Sequence, residues 1–125
     1  MPVEKVAIAS KLRLFADHWH PRIVGQINDV HVKLVKLQGE FDWHFHEAED
    51  ELFLVLSGVL VMNLREDGRE RAVTVEPGEF IIIPHGLEHK PVAPAECAIM
   101  LIEPAGTLNT GNVETGHTVR DLEWI

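Results

Sequence analysis

The chain has 125 residues, 20 of them acidic and 11 basic, for a net charge of −9 with no run of Lys or Arg. One domain with one hydrophobic core fits that length. A surface so acidic is repelled by phosphate backbones and anionic lipid, which excludes nucleic acid and membrane surfaces as partners.

The N-terminal stretch MPVEKVAIASKLRLFADHW interleaves Glu4, Lys5, Lys11 and Arg13 with apolar residues, so no signal-peptide core is expected and a cytoplasmic location is. Ile8, Leu12, Phe15 and Trp19 recur at helical spacing. With Ser10 as cap they predict a short helix over 11–17 that Pro21 ends, inside a helical segment 1–21. From residue 22 the period changes to two. VHVKLVKL sets Val30, Val32 and Leu34 against His31 and Lys33, and ELFLVLSGVLVMNLRE is two strand-like runs broken at Ser57-Gly58. REDGRERAVTV predicts a hairpin, because Asp67-Gly68 supplies the positive φ values of a tight turn. GEFIIIP and ECAIMLIE are two further strands, and Cys97 within the latter reads as a small core residue. As the only cysteine it excludes an internal disulfide and a cysteine-based zinc knuckle. Turn signals at short intervals without interleaved helices predict an all-β sandwich or barrel over 22–104. Residues 105–125, rich in Gly, Thr and Asn, read as a C-terminal arm with Trp124 as an anchor.

The chemistry concentrates in two places. In WHFHEAEDELFLVLSG, side chains two apart on an extended chain share a face, so His44 and His46 project together. Glu51 opens the apolar run that follows, where a carboxylate is costly unless paired or bound to a metal. Glu47, Glu49 and Asp50 then read as solvated turn residues. In GEFIIIPHGLEHKPV, Pro84 and Gly86 make a turn after an apolar strand and His89 lies just beyond it, while His85 is expected in the exposed turn. A second His-x-His, His18 and His20 in HWHP, has no acid placed to complete a site and is read as surface.

The chain reads Gly39-x4-His44-x-His46-x4-Glu51-x6-Gly58 and then Gly78-x5-Pro84-x-Gly86-x2-His89-x3-Ala93. This pattern resembles the two motifs of the cupin superfamily, with the first Gly one residue close and Ala93 where the family has Asn. The resemblance implies a cupin double-stranded β-helix, a jelly-roll barrel, preceded by the short helix. The length is similar to that of short bacterial cupins described as mannose-6-phosphate isomerase-like. It also implies that His44, His46, Glu51 and His89 hold one divalent transition metal. Such an N/O donor set suits Mn, Fe, Co, Ni, Cu or Zn over Ca or Mg.

Four protein ligands leave coordination positions open, which predicts a small-molecule ligand or substrate at the ion. The leading expectation is a metal-dependent enzyme on a sugar- or carbonyl-type molecule, with isomerase, lyase or dioxygenase chemistry. The alternative is a non-catalytic module that binds a sugar or organic acid in the same pocket. A structural barrel is disfavoured, since apolar residues would stabilise it better than buried histidines. Asp42 shares the parity of His44 and is the candidate acid or base; the chain has no tyrosine to supply a phenol. Phe41, Trp43 and Phe45, with Leu52, Leu54 and Leu56, are expected to face out of the pocket. Strands apolar on both faces need cover from the N-terminal segment or a second subunit, and a homodimer is predicted.

Overall fold

The computed structural model describes residues 2–125. One short helix, α1 (Ile8–Leu12), precedes seven strands: β1 (Arg22–Ile27), β2 (Val30–Glu40), β3 (Glu51–Ser57), β4 (Leu60–Glu66), β5 (Arg69–Val75), β6 (Phe80–Ile83) and β7 (Glu88–Pro104). They run antiparallel in the order β1-β2-β7-β3-β6, and β4 pairs with both β5 and β7. Strand β7 organises the barrel. Its first residues pair with β4, from Glu88 opposite Arg65 to Val92 opposite Val61, and its later residues lie between β2 and β3. A single strand thus serves both sheets, as a jelly roll requires. No helix among the described residues is long and apolar enough to cross a membrane.

Three local expectations need correction. The helix covers Ile8–Leu12, not 11–17; Ala7 stands at its N-cap without a side-chain bond, and Ser10 lies inside it, accepting from Arg13. Phe15 packs as expected, with Val24 and Leu34, but from an irregular segment. The strand expected from Glu96 begins at Glu88, since the Pro-containing stretch 91–96 is absorbed by a register break between Leu37↔Cys97 and Gly39↔Ala93. A bulge of this kind is where a ladder tolerates proline. Phe41 does not face outward: it is buried and lines the interior cavity, because the β2 ladder ends at Glu40 and the alternation lapses there. The hairpin at Asp67-Gly68 has the positive φ values its sequence demands, 48° and 73°.

The core lies inside the barrel, where Val55, Leu60, Met62, Ala93 and Cys97 have no exposed surface. Full burial of an aliphatic chain such as Leu60 is worth about 1.5–3 kcal/mol. A second cluster, with Ile8, Leu12, Phe15, Leu34, Leu56 and Met100, shows the N-terminal segment lying over part of the outer sheet face. Further along that face cover stops: Phe80 and Ile82 are 60% and 54% exposed beside Leu54 and Leu52.

Candidate metal centre

Backbone pairing brings the two motifs together. His44 and His89 form an isolated antiparallel bridge, the His44 N–H donating to His89 O at 3.1 Å and the His89 N–H to His44 O at 2.9 Å. The Gly86 N–H donates to His46 O at 2.7 Å, so the Pro84–Gly86 turn clamps the first motif as well. Glu51, the first residue of β3, is held opposite Ile83 of β6. His44, His46, Glu51 and His89 are all buried, and one ligand atom from each lies within 4.8 Å of the others.

The donor atoms fit a metal. His46 Nε2 and His89 Nε2 lie 2.9 and 3.2 Å from Glu51 Oε1, yet none of these three buried atoms makes a hydrogen bond. Ligands about 2.1 Å from one ion lie about 3 Å apart at right angles, which is the separation of Glu51 Oε1 from the two imidazole nitrogens. The imidazoles are also oriented for it. His44 Nδ1 faces Asp42 O at 2.8 Å and His89 Nδ1 faces Leu87 O at 2.9 Å. A carbonyl there requires an Nδ1–H, which leaves the Nε2 lone pair for the ion. His46 Nδ1 has no partner and packs against Gly111 of the arm.

Electrostatics point the same way. Burial, then the neighbouring His89, pushes the His44 imidazole down to about 4, so it stays neutral and ligand-competent. Burial works against the Glu51 charge, but the Glu103, His46 and His89 side chains packed against its carboxyl hold it well below the usual carboxylate range. The His44 shift carries a stability cost in acid. Its folded value lies below the unfolded value near 6.5, so the unfolded chain binds more protons between the two. His44 alone should therefore remove about 3 kcal/mol from the metal-free chain as pH falls from about 6.5 to about 4. Urea unfolding with a chelator at both ends of that window, compared between the wild type and His44→Gln, measures this; the same pH dependence in both would contradict it.

The site opens on a cavity of about 40 Å³ lined by His44, Glu51, Glu103, Asn109 and an apolar wall that includes Trp19 and Phe41. Trp19, at φ 62°, stacks on Phe41 with ring centroids 4.8 Å apart and donates Nε1–H to Gln38 O. The C-terminal arm completes the mouth. The Asn112 N–H donates to Phe45 O, the Phe45 N–H donates to Asn112 Oδ1, and His117 stacks on Phe41. Asp42 is taken up by this arm. Its Oδ2 accepts from Thr115 Oγ1 at 2.7 Å and lies 3.0 Å from His117 Nδ1, and Asp42 is not among the residues lining the cavity. Burial works against the Asp42 charge, but those two bonds hold its carboxyl below the usual range.

The other histidines stand apart. His18 pairs with Glu96 and His20 with Asp17, while His85 is exposed and pairs with Asp50 at 2.9 Å. Burial pushes the Cys97 thiol up to about 11, consistent with an inert core residue. Sequence reasoning missed Lys33 and Glu103, which form a buried ion pair at 2.8 Å. Lys33 was expected on the polar face of β2. The available signal was parity: Lys33 alternates with Val35 and Leu37, and Glu103 with Cys97, Ile99 and Leu101, all residues of the interior. Burial, then the charge of Glu51, pushes the Glu103 carboxyl well above its ordinary value while Lys33 pulls it back; a dication on Glu51 would cancel the Glu51 contribution.

A seven-stranded antiparallel barrel with three imidazoles and a carboxylate converging beside an interior cavity has the architecture of the double-stranded β-helix class. A cupin domain model matches residues 31–103, and the chain belongs to the cupin family. A crystal structure of a cupin-2 domain protein from Shewanella frigidimarina is 44% identical, with a TM-score of 0.75 over 79% of this chain and 93% of that one. An uncharacterized Bacillus subtilis protein is 37% identical over 67 residues, 54% of this chain and 57% of its own length. Acireductone dioxygenase of Rhodopseudomonas palustris is 42% identical over 48 residues, 38% of this chain and 28% of the enzyme. The chain thus spans little more than half of one curated relative and about a quarter of the other.

Proposed function

We propose that the chain binds one divalent transition metal through His44, His46, Glu51 and His89 and is a metal-dependent enzyme acting on a small oxygenated molecule held in the adjoining cavity. The observation that carries this reading is the set of buried, unpartnered donor atoms converging beside an apolar-walled space. An ion there would supply Lewis-acid polarisation of a bound oxygen atom or, as iron(II), redox chemistry toward dioxygen. The chain's own part is to fix the ligand, with Trp19 and Phe41 excluding water and the arm closing the mouth. Similarity to acireductone dioxygenase favours oxygen chemistry over isomerase or lyase chemistry. The test is oxygen uptake by the iron(II)-loaded chain across 2-hydroxy acids, enediols and catechols, with His46→Ala as control. Uptake that needs His46 supports the proposal; uptake that survives the substitution contradicts it.

A non-catalytic binding role in the same pocket has one observation in its favour: Asp42, the candidate acid or base, is engaged by Thr115 and His117. Ligand binding without turnover under every metal would establish that role instead.

We also propose a homodimer that buries the outer face of β6 and β3, where Phe80 and Ile82 are exposed next to Leu52 and Leu54. Sedimentation should give twice the 14.1 kDa chain mass at micromolar concentration, with Phe80→Glu shifting it to the monomer. A wild-type monomer would defeat the proposal.

A further inference from the structure

The wall of the interior cavity leaves a ligand no polar partner apart from the metal centre. Nine of its thirteen lining residues are apolar, among them Trp19, Phe41, Val35, Leu37 and Ile99. The four polar ones are already engaged. His44 and Glu51 belong to the candidate ligand set. Glu103 accepts from Lys33 Nζ at 2.8 Å, and its carboxyl is hydrogen-bonded to that of Glu51. Asn109 donates to His117 O and accepts from the Val119 N–H. The Trp19 indole N–H goes to Gln38 O. Main-chain groups of the wall are used as well. Val35 pairs with Ile99 and Phe53 with Leu101 in the sheet, and the Phe41 N–H donates to Pro91 O at 3.0 Å. Pro21 and Pro91 have no N–H to offer. A ligand hydroxyl or phosphate reaching past the ion would therefore be buried without a partner, which is unfavourable. A hydrocarbon chain in the same place would gain by leaving water.

We propose that the cavity selects ligands with one oxygenated end, bound at the metal, and a short hydrocarbon remainder: short-chain aliphatic carboxylic and 2-oxo acids. Ile99, buried in the wall beside Val35, is one of the residues that set the permitted length. This rests on the metal-centre reading above and narrows its ligand class, setting aside sugars and phosphorylated molecules. Size restricts the ligand as polarity does. The volume of about 40 Å³ accommodates about three water-sized groups, at about 10–15 Å³ each. Three carbons beyond a carboxylate fill it, so butyrate marks the limit. Charge agrees with this class. Glu51 and a dication together leave one positive charge, which a single carboxylate neutralises and a phosphate dianion exceeds.

The experiment uses the cobalt(II)-loaded chain, with ligand binding read from the visible cobalt absorption. The probes are acetate, propionate, butyrate, hexanoate and 3-hydroxypropionate; the last replaces the terminal methyl group of butyrate by a hydroxyl. In the wild type, affinity should rise about fourfold per carbon from acetate to butyrate and gain nothing further at hexanoate. 3-Hydroxypropionate should bind about tenfold or more weaker than butyrate. I99A should retain one cobalt per chain and bind hexanoate more tightly than butyrate. If I99A does not fold, the wild-type series still decides. Equal affinity for butyrate and 3-hydroxypropionate, or binding of none of these acids to the cobalt-loaded wild type, overturns the ligand class and leaves the metal centre standing. Cobalt-loaded I99A that still stops at butyrate overturns the role of Ile99. Failure of the wild-type chain to take up cobalt overturns the metal centre together with the ligand class.

Discussion

Replacing His89 by alanine is expected to abolish stoichiometric metal binding while the barrel stays folded. His89 has no exposed surface, its Nε2 is one of the unpartnered donors, and it comes from the second motif. Without it the three remaining ligands all lie between residues 44 and 51. Loss of a partner that only orients a ligand typically costs 10–100-fold in metal affinity, so loss of the ligand itself should cost more than about 100-fold. The backbone bridge between residues 44 and 89 uses main-chain atoms only and survives the substitution. Titration calorimetry with zinc and a circular dichroism melt read the two halves of the prediction. Wild-type zinc affinity in H89A would show that residue 89 is not a ligand.

Gly58→Ala should produce a large loss of stability from a single methyl group. Gly58 has φ 76°, and a Cβ there would stand 2.5 Å from Glu96 O and 2.9 Å from Cys97 Cα. Both are backbone atoms of β7, so no side chain can swing aside. The left-handed conformation costs about 1–2 kcal/mol and the forced separation of the strands about 1–3 kcal/mol more. A total near 3 kcal/mol corresponds to a fall in Tm of about 10 °C in a chain of this size. Gly39→Ala is the control: its φ is 85°, but nothing lies within 4 Å of the added carbon. It should cost only the conformational share. Equal losses at both positions would mean that the approach to β7 is not what demands glycine at 58.

That glycine shows why part of the molecule was legible in sequence. Gly58, Gly68 and Gly86 mark positions of positive φ that few other residues accept, so they record backbone geometry directly. His44, His46 and Glu51 record chemistry in the same way, because buried polar groups before an apolar strand need a shared purpose. Lys33 and Glu103 left a weaker trace. A lysine between Val32 and Leu34 looks like an ordinary polar-face residue until β2 is known to be buried on both faces. Phe41 was misplaced because strict alternation was carried beyond the end of its ladder at Glu40. The arm was opaque for a different reason. Its hold on Phe45, Asp42 and Phe41 uses Asn112, Thr115 and His117, contacts between residues more than sixty positions apart that have no periodicity to betray them. Trp19 likewise reaches the cavity through one left-handed residue, not through the helix its spacing implied.

The most direct test is elemental analysis of the chain, expressed without a polyhistidine tag and purified without chelator. The account predicts about one equivalent of a transition metal per chain, lost together with the ligand side chains. Protein that holds no metal as purified, and takes up none of iron(II), manganese(II), cobalt(II) or zinc(II) when supplied at neutral pH, would contradict it.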